Sequence, residues 1–221
     1  MDHNIIWAPS PNYTPGRGGR QILAIVCHIT AGLMPGCLSW LRNPKAQASA
    51  HYLVTKQGEI YQLVKDEDTA WHAGFVNRPA WDLYDGSNPN RYTLGVEFEN
   101  LSGGELRVPQ YLAGVQLISM LCKKHGIPID TKHIIGHYRI DGVNRPNDPG
   151  PQFPWAKIFK DLREEDEMIY KTLADVPNWG KALVKKLIDR KSIAGEGPGI
   201  INLPESTLKT LVILEREGVI K

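Results

Sequence analysis

Ile22-Leu23-Ala24-Ile25-Val26-Cys27-His28 is apolar at every position until it closes on an imidazole. A short run that is apolar on both faces predicts a strand in the middle of a sheet. His28, followed by Ile29-Thr30-Ala31-Gly32, then has two readings: a histidine satisfied inside the core, or one delivered to a site at the strand end. Further along, Tyr92–Asn100 predicts another strand. Pro109–His125 places Tyr111, Leu112, Val115, Leu117, Ile118, Leu121 and Cys122 near helical spacing, with Gly126-Ile127-Pro128 as the stop. A strand over Thr131–Ile140 and a helix around Trp155–Leu162 follow. Strands alternating with helices describe an α/β domain.

Outward from that frame, His133-Ile134-Ile135-Gly136-His137 and Asp148-Pro149-Gly150-Pro151 bring two imidazoles and a carboxylate within sixteen positions. These are ligand types that zinc accepts at neutral pH. On a helix His133 and His137 would share one face as a ligand pair. Ile134, Ile135 and Gly136 disfavour the helix. On a strand the two histidines stand about 13 Å apart, too far to bind one ion. One of them is therefore structural, and the missing ligand comes from elsewhere.

Residues 8–20 are rich in Pro and Gly and predict an extended surface arm. Leu38–Asn43 reads as one or two helical turns closed before Pro44. His51–Lys56 and Glu59–Val64 flank Gln57-Gly58 as a hairpin. Residues 75–92 form a turn-rich loop of a length usual for functional walls or lids. The charge run Arg163–Glu167 coincides with a shift in composition. It divides a domain at 1–165 from a module at 170–221, in which Trp179, Leu183, Leu187 and Ile188 line one helix. Gly195–Gly199 breaks that helix, and Leu208, Leu211, Val212 and Ile213 line a second that Gly218 ends. So small a module buries little core.

A net charge of +2 over 221 residues is too mild to indicate nucleic acid as a partner. Three cysteines without CxxC spacing point to a reduced compartment or to buried thiols, not to a disulfide scaffold. No transmembrane stretch and no signal-peptide pattern stand out, so synthesis in the cytoplasm without membrane insertion is expected.

Six motifs occur in order: Ile25–Ala31, Ser49-Ala50-His51-Tyr52-Leu53-Val54, Ala70-Trp71-His72-Ala73-Gly74, Leu94-Gly95-Val96-Glu97-Phe98-Glu99, Gly136-His137 and Asp148–Pro151. Together they resemble the zinc-dependent N-acetylmuramoyl-L-alanine amidases of the type 2, peptidoglycan-recognition-protein-like fold, including phage endolysins and autolysins. The resemblance covers about residues 20–160. It implies a central mixed β-sheet flanked by helices, one zinc held by His28, His137 and Asp148, and Glu97 as general acid/base. His133 then falls to packing or to a contact behind the ligands, and Glu99 on the same strand competes with Glu97 for the proton role.

The resemblance also sets His51 and His72 beside the substrate, donating to the developing oxyanion or to the sugar-peptide chain, while Trp71 either stacks on substrate or belongs to the core. Many relatives carry a lysine two residues before the third ligand. Here Pro146 holds that slot, so either Arg145 or His72 serves the oxyanion, or activity is reduced. The implied substrate is peptidoglycan, cut between N-acetylmuramic acid and L-alanine. For a wall hydrolase the missing signal pattern fits a phage lysin reaching the wall through a holin pore. Residues 170–221 look like the small helical wall-binding tails of such lysins, or else form a helical hairpin that packs on the catalytic domain or pairs two subunits. The rivals are a non-catalytic peptidoglycan-binding protein of the same fold, an unrelated zinc peptidase, whose HExxH is missing here, and a structural protein.

Overall fold

The computed structural model describes residues 5–166, 169–193, 197 and 199–220. The chain divides into two compact units, Met1–Leu162 and Arg163–Lys221. Of the expected features, Glu167 in the charge run and Gly195, Glu196 and Pro198 in the helix break lie outside the described residues.

The first unit is built on a six-stranded sheet in the order β1-β5-β4-β7-β3-β8. Its strands are β1 (Ile5–Trp7), β3 (Ala24–Ile29), β4 (Tyr52–Val54), β5 (Ile60–Gln62), β7 (Thr93–Phe98) and β8 (Ile134–Gly136). The hairpin β4/β5 is antiparallel, and the other neighbours run parallel, so the sheet is mixed. A separate ribbon pairs β2 (Tyr13–Thr14) with β6 (Thr69–Ala70). The helices are α1 (Gly36–Leu41), α2 (Val108–His125) and α3 (Trp155–Asp166).

The two faces of the sheet divide the labour. Side chains alternate along a strand, so Leu94, Val96 and Phe98 of β7 join Ile25 and Cys27 of β3 on one face. There they pack with Tyr111, Val115, Ile118 and Leu121 of α2 and with Phe159 and Leu162 of α3. Helix α2 ends at Gly126, whose φ of 65° lets its N–H reach the Cys122 carbonyl. The opposite face holds Thr93, Gly95 and Glu97 of β7 beside Ala24, Val26 and His28 of β3, and it carries the site. Cys27, Cys37 and Cys122 are all buried thiols.

Two expectations change. The strand expected over Thr131–Ile140 shrinks to β8, because Asp130 Oδ1 caps the preceding turn through the N–H groups of Lys132 and His133. After Gly136 the chain bends into a 3₁₀ turn, His137–Arg139. Residues 8–20 are no surface arm either, since Ser10, Asn12 and Arg17 are buried. The Arg17 guanidinium donates to the carbonyls of Asp66 and Thr93 at 2.6 and 3.0 Å, fastening the segment down.

The second unit holds β9 (Ile169–Tyr170) paired antiparallel with β10 (Leu203–Pro204), and helices α4 (Asn178–Asp189) and α5 (Glu205–Arg216). Leu183, Val184, Leu187, Leu208 and Val212 form its own small core. A Cβ on Gly180 would meet Leu208 at 2.8 Å, so glycine there lets α4 and α5 approach closely. Among the described residues no helix is long and apolar enough to cross a membrane.

Candidate active site

Register assembles the site. In the β3/β7 pairing His28 lies opposite Glu97, so their side chains leave adjacent strands on the same face. In the β3/β8 pairing Cys27 lies opposite Gly136, which sets His137 next to His28. Gly136 is required for close approach: a Cβ there would lie 2.5 Å from the Tyr138 ring and 2.7 Å from Pro149 Cδ. The loop after the 3₁₀ turn then returns Asp148 to the strand ends.

Three atoms converge. His28 Nδ1 and His137 Nδ1 are 3.1 Å apart, and Asp148 Oδ2 lies 3.3 Å from the first and 3.1 Å from the second. Asp148 Oδ1 accepts from the Ile29 N–H at 2.8 Å, which fixes the carboxylate. Burial works against the Asp148 charge, but hydrogen bonding to His137 and His28 outweighs it and holds the carboxyl below its usual range. Burial likewise holds the His28 pKa below its ordinary value, against the hydrogen bond to Asp148. Among the described residues this is the group whose ligand atoms lie close enough together, within 4.8 Å, to share an ion.

Glu97 Oε2 is buried without a hydrogen-bond partner. Burial, and then the Asp148 charge, push its pKa well above the carboxylate value, while Arg145 pulls the other way. Arg145 acts on His28 with the same sign. It therefore stands near enough to influence both, although it lies on the exposed loop. Glu99 is another matter. It is 4% exposed, and its two oxygens accept from the N–H groups of Met34 at 3.0 Å and Lys56 at 2.7 Å. It is a clamp between the loops after β3 and β4.

The two expected substrate histidines have their ring nitrogens engaged within the fold. His51 is wholly buried. Its Nδ1 accepts from the Gly95 N–H at 2.9 Å, and its Nε2 lies 2.8 Å from Arg17 Nη2. Burial and then the Arg17 charge take its pKa down to about 3. It supports β7 and presents nothing to a ligand.

His72 has both ring nitrogens engaged as well, Nδ1 with His28 Nε2 at 3.1 Å and Nε2 with Thr93 Oγ1 at 3.2 Å, which leaves no N–H to aim at an oxyanion. Burial, then the neighbouring His28, depress its pKa strongly. Trp71 is half-buried, its Nε1 donating to Thr14 Oγ1 at 3.0 Å. His133 stands apart, 2.7 Å from Asp130 Oδ1 through Nδ1. Sequence reasoning missed Thr93, which reads as an ordinary strand threonine, and Asn90. The Asn90 Oδ1 accepts from the His72 and Ala73 N–H groups and so holds the His72 turn.

Fold and site together define an α/β amide hydrolase. The chain belongs to the N-acetylmuramoyl-L-alanine amidase family, whose sequence model matches residues 18–151. It is similar to N-acetylmuramoyl-L-alanine amidase A of Achromobacter lyticus, 30% identical over 173 residues that span 70% of this chain and 90% of that protein. The 1,6-anhydro-N-acetylmuramyl-L-alanine amidase AmpD of Escherichia coli (strain K12) is 34% identical over 115 residues, 51% of this chain and 57% of its own length. Among solved structures, a selenomethionine derivative of AmpD superposes with a TM-score of 0.58 at 25% identity, covering 73% of this chain and 99% of that one.

Proposed function

We propose that this protein hydrolyses the amide between the lactyl group of N-acetylmuramic acid and the L-alanine of the stem peptide, using one zinc ion held by His28, His137 and Asp148. The observation that carries the reading is the triangle of ligand atoms, 3.1, 3.1 and 3.3 Å on its sides. Bonds of about 2.0–2.1 Å in a tetrahedral site give edges of about 3.3–3.4 Å, so the donors fit zinc with a fourth position open. A zinc ion bound there supplies Lewis acidity, polarising the carbonyl and acidifying water.

The chain's own groups do the rest. The Ile29 N–H orients Asp148. Glu97, beside His28, takes a proton from the attacking water in its carboxylate form and returns it to the leaving amine, and its raised pKa makes that carboxylate the stronger base. Arg145, one residue before the slot held by Pro146, is the cation available to the oxyanion. The non-catalytic binding protein is disfavoured because all three ligands and Glu97 are present.

The substrate we favour is the intact wall, reached after release from the cytoplasm, with the second unit as its anchor. That unit lies beyond the family match. A second reading, hydrolysis of soluble 1,6-anhydro muropeptides, rests on similarity to enzymes bearing that name. Mass spectrometry of digests of both substrates tests the proposal. New L-alanine amino termini are expected without new reducing sugar ends, and faster on walls. New reducing ends would mean glycosidase chemistry and would overturn it.

A further inference from the structure

A neutral histidine has one ring proton, and His28 sits between two groups that compete for it. Asp148 Oδ2 lies 3.3 Å from Nδ1, and His72 Nδ1 lies 3.1 Å from Nε2. A carboxylate is the stronger acceptor. Left to that contest, the proton would favour Nδ1, where it would block the lone pair a metal needs.

The rest of the chain of contacts tips the balance the other way. Thr93 Oγ1 gives its single proton to the Pro89 carbonyl at 2.8 Å. That oxygen can therefore only accept from His72 Nε2, 3.2 Å away. With its proton on Nε2, His72 presents a bare Nδ1. His28 must then donate from Nε2, which leaves its own Nδ1 free, facing His137 and Asp148.

The His72 ring cannot turn to escape this. A Cβ on Gly95 would lie 2.5 Å from His72 Cγ, so the ring lies flush against β7 where glycine makes room. Asn90 Oδ1 holds its backbone from behind. We infer that Thr93 and His72 form a positioning relay that sets the ring tautomer of His28 and keeps it ready to bind metal. Ligand histidines commonly donate their far N–H to a carboxylate or carbonyl. An imidazole in that place is neutral, so Asp148 remains the one carboxylate to offset the charge of the cation.

The relay rests on the zinc reading above, and the test separates the two. Zinc affinity of the full chain is measured by competition with a chromophoric chelator for the unaltered protein, Thr93→Val and Thr93→Ser. In parallel, long-range proton–nitrogen NMR of the metal-free protein reports the His28 tautomer. The relay predicts an Nε2-protonated His28, zinc binding weakened about 10–100-fold in Thr93→Val, and recovery in Thr93→Ser, which keeps the hydroxyl. Unchanged affinity in Thr93→Val, or an Nδ1-protonated His28 in the unaltered protein, overturns the relay alone. If Thr93→Val fails to fold, the tautomer in the unaltered protein decides. An unaltered chain that binds no zinc overturns the metal reading and the relay with it.

Discussion

Glu99→Gln replaces one of two buried acceptor oxygens with an NH₂ that faces a backbone N–H, either that of Met34 or that of Lys56. A buried donor left unmet costs about 1–3 kcal/mol, and the surviving hydrogen bond loses its charge assistance, for a total of about 2–4 kcal/mol. In a domain of this size that lowers Tm by about 4–16 °C. Glu97→Gln should do the reverse. Its Oε2 has no partner to lose. Because the native pKa of Glu97 is raised above its ordinary 4.5, its stabilising contribution is complete below that value and is lost as pH rises through the native pKa. Metal-free Glu97→Gln should therefore match the parent in acid and exceed it at pH 8, while turnover falls about 10²-fold or more. Thermal denaturation, together with release of L-alanine amino termini from a soluble muropeptide, reads both variants. A stable but inactive Glu99→Gln beside a fully active Glu97→Gln would refute the assignment of the two carboxyls.

Chelation with EDTA should abolish that release, and added zinc should restore it; full activity in metal-free protein would exclude the site. His51, about 3 when folded against about 6.5 unfolded, contributes stability that is complete above the unfolded value and falls by about 1.4 kcal/mol per pH unit below it. Denaturant titrations between pH 7.5 and 5 should show that slope, and His51→Gln should flatten it. Gly95→Ala should displace the His72 ring and weaken zinc binding by about tenfold or more, read by the same chelator competition. A chain ending at Leu162 retains its own core and should match the full chain on soluble muropeptides, yet act more slowly on walls, as the anchoring role proposed for the second unit requires.

The central strand was legible because Ile22–Cys27 is apolar at every position, a pattern that a strand covered on both sides produces. The convergence of His28 with His137 was not legible from spacing alone. It depends on which strands neighbour β3, a long-range pairing that local periodicity does not encode, and only the ordered motifs supplied it. Glu97 and Glu99 were indistinguishable in sequence since both carboxyls project from one extended segment. Their difference lies in two backbone donors from distant loops. The engagement of two further histidines was not legible for a related reason. His51 and His72 come from motifs that border a site, and nothing local says that Arg17, Thr93 and His28 would occupy their ring nitrogens.

The site-facing side of β7 carries Thr93, Gly95 and Glu97 in succession, while Leu94, Val96 and Phe98 face the helices. Saturation mutagenesis along this strand should therefore give two interleaved phenotypes instead of one gradient. At even-numbered positions, substitutions should reduce the yield of folded protein and leave the surviving molecules normally active. At odd-numbered positions, well-folded protein should accumulate with defective chemistry, of three separable kinds: a mispositioned ligand, a displaced ring and a lost proton carrier. Deleting one residue between Thr93 and Phe98 would turn every side chain on one side of the deletion to the opposite face, which no single substitution within the strand could rescue.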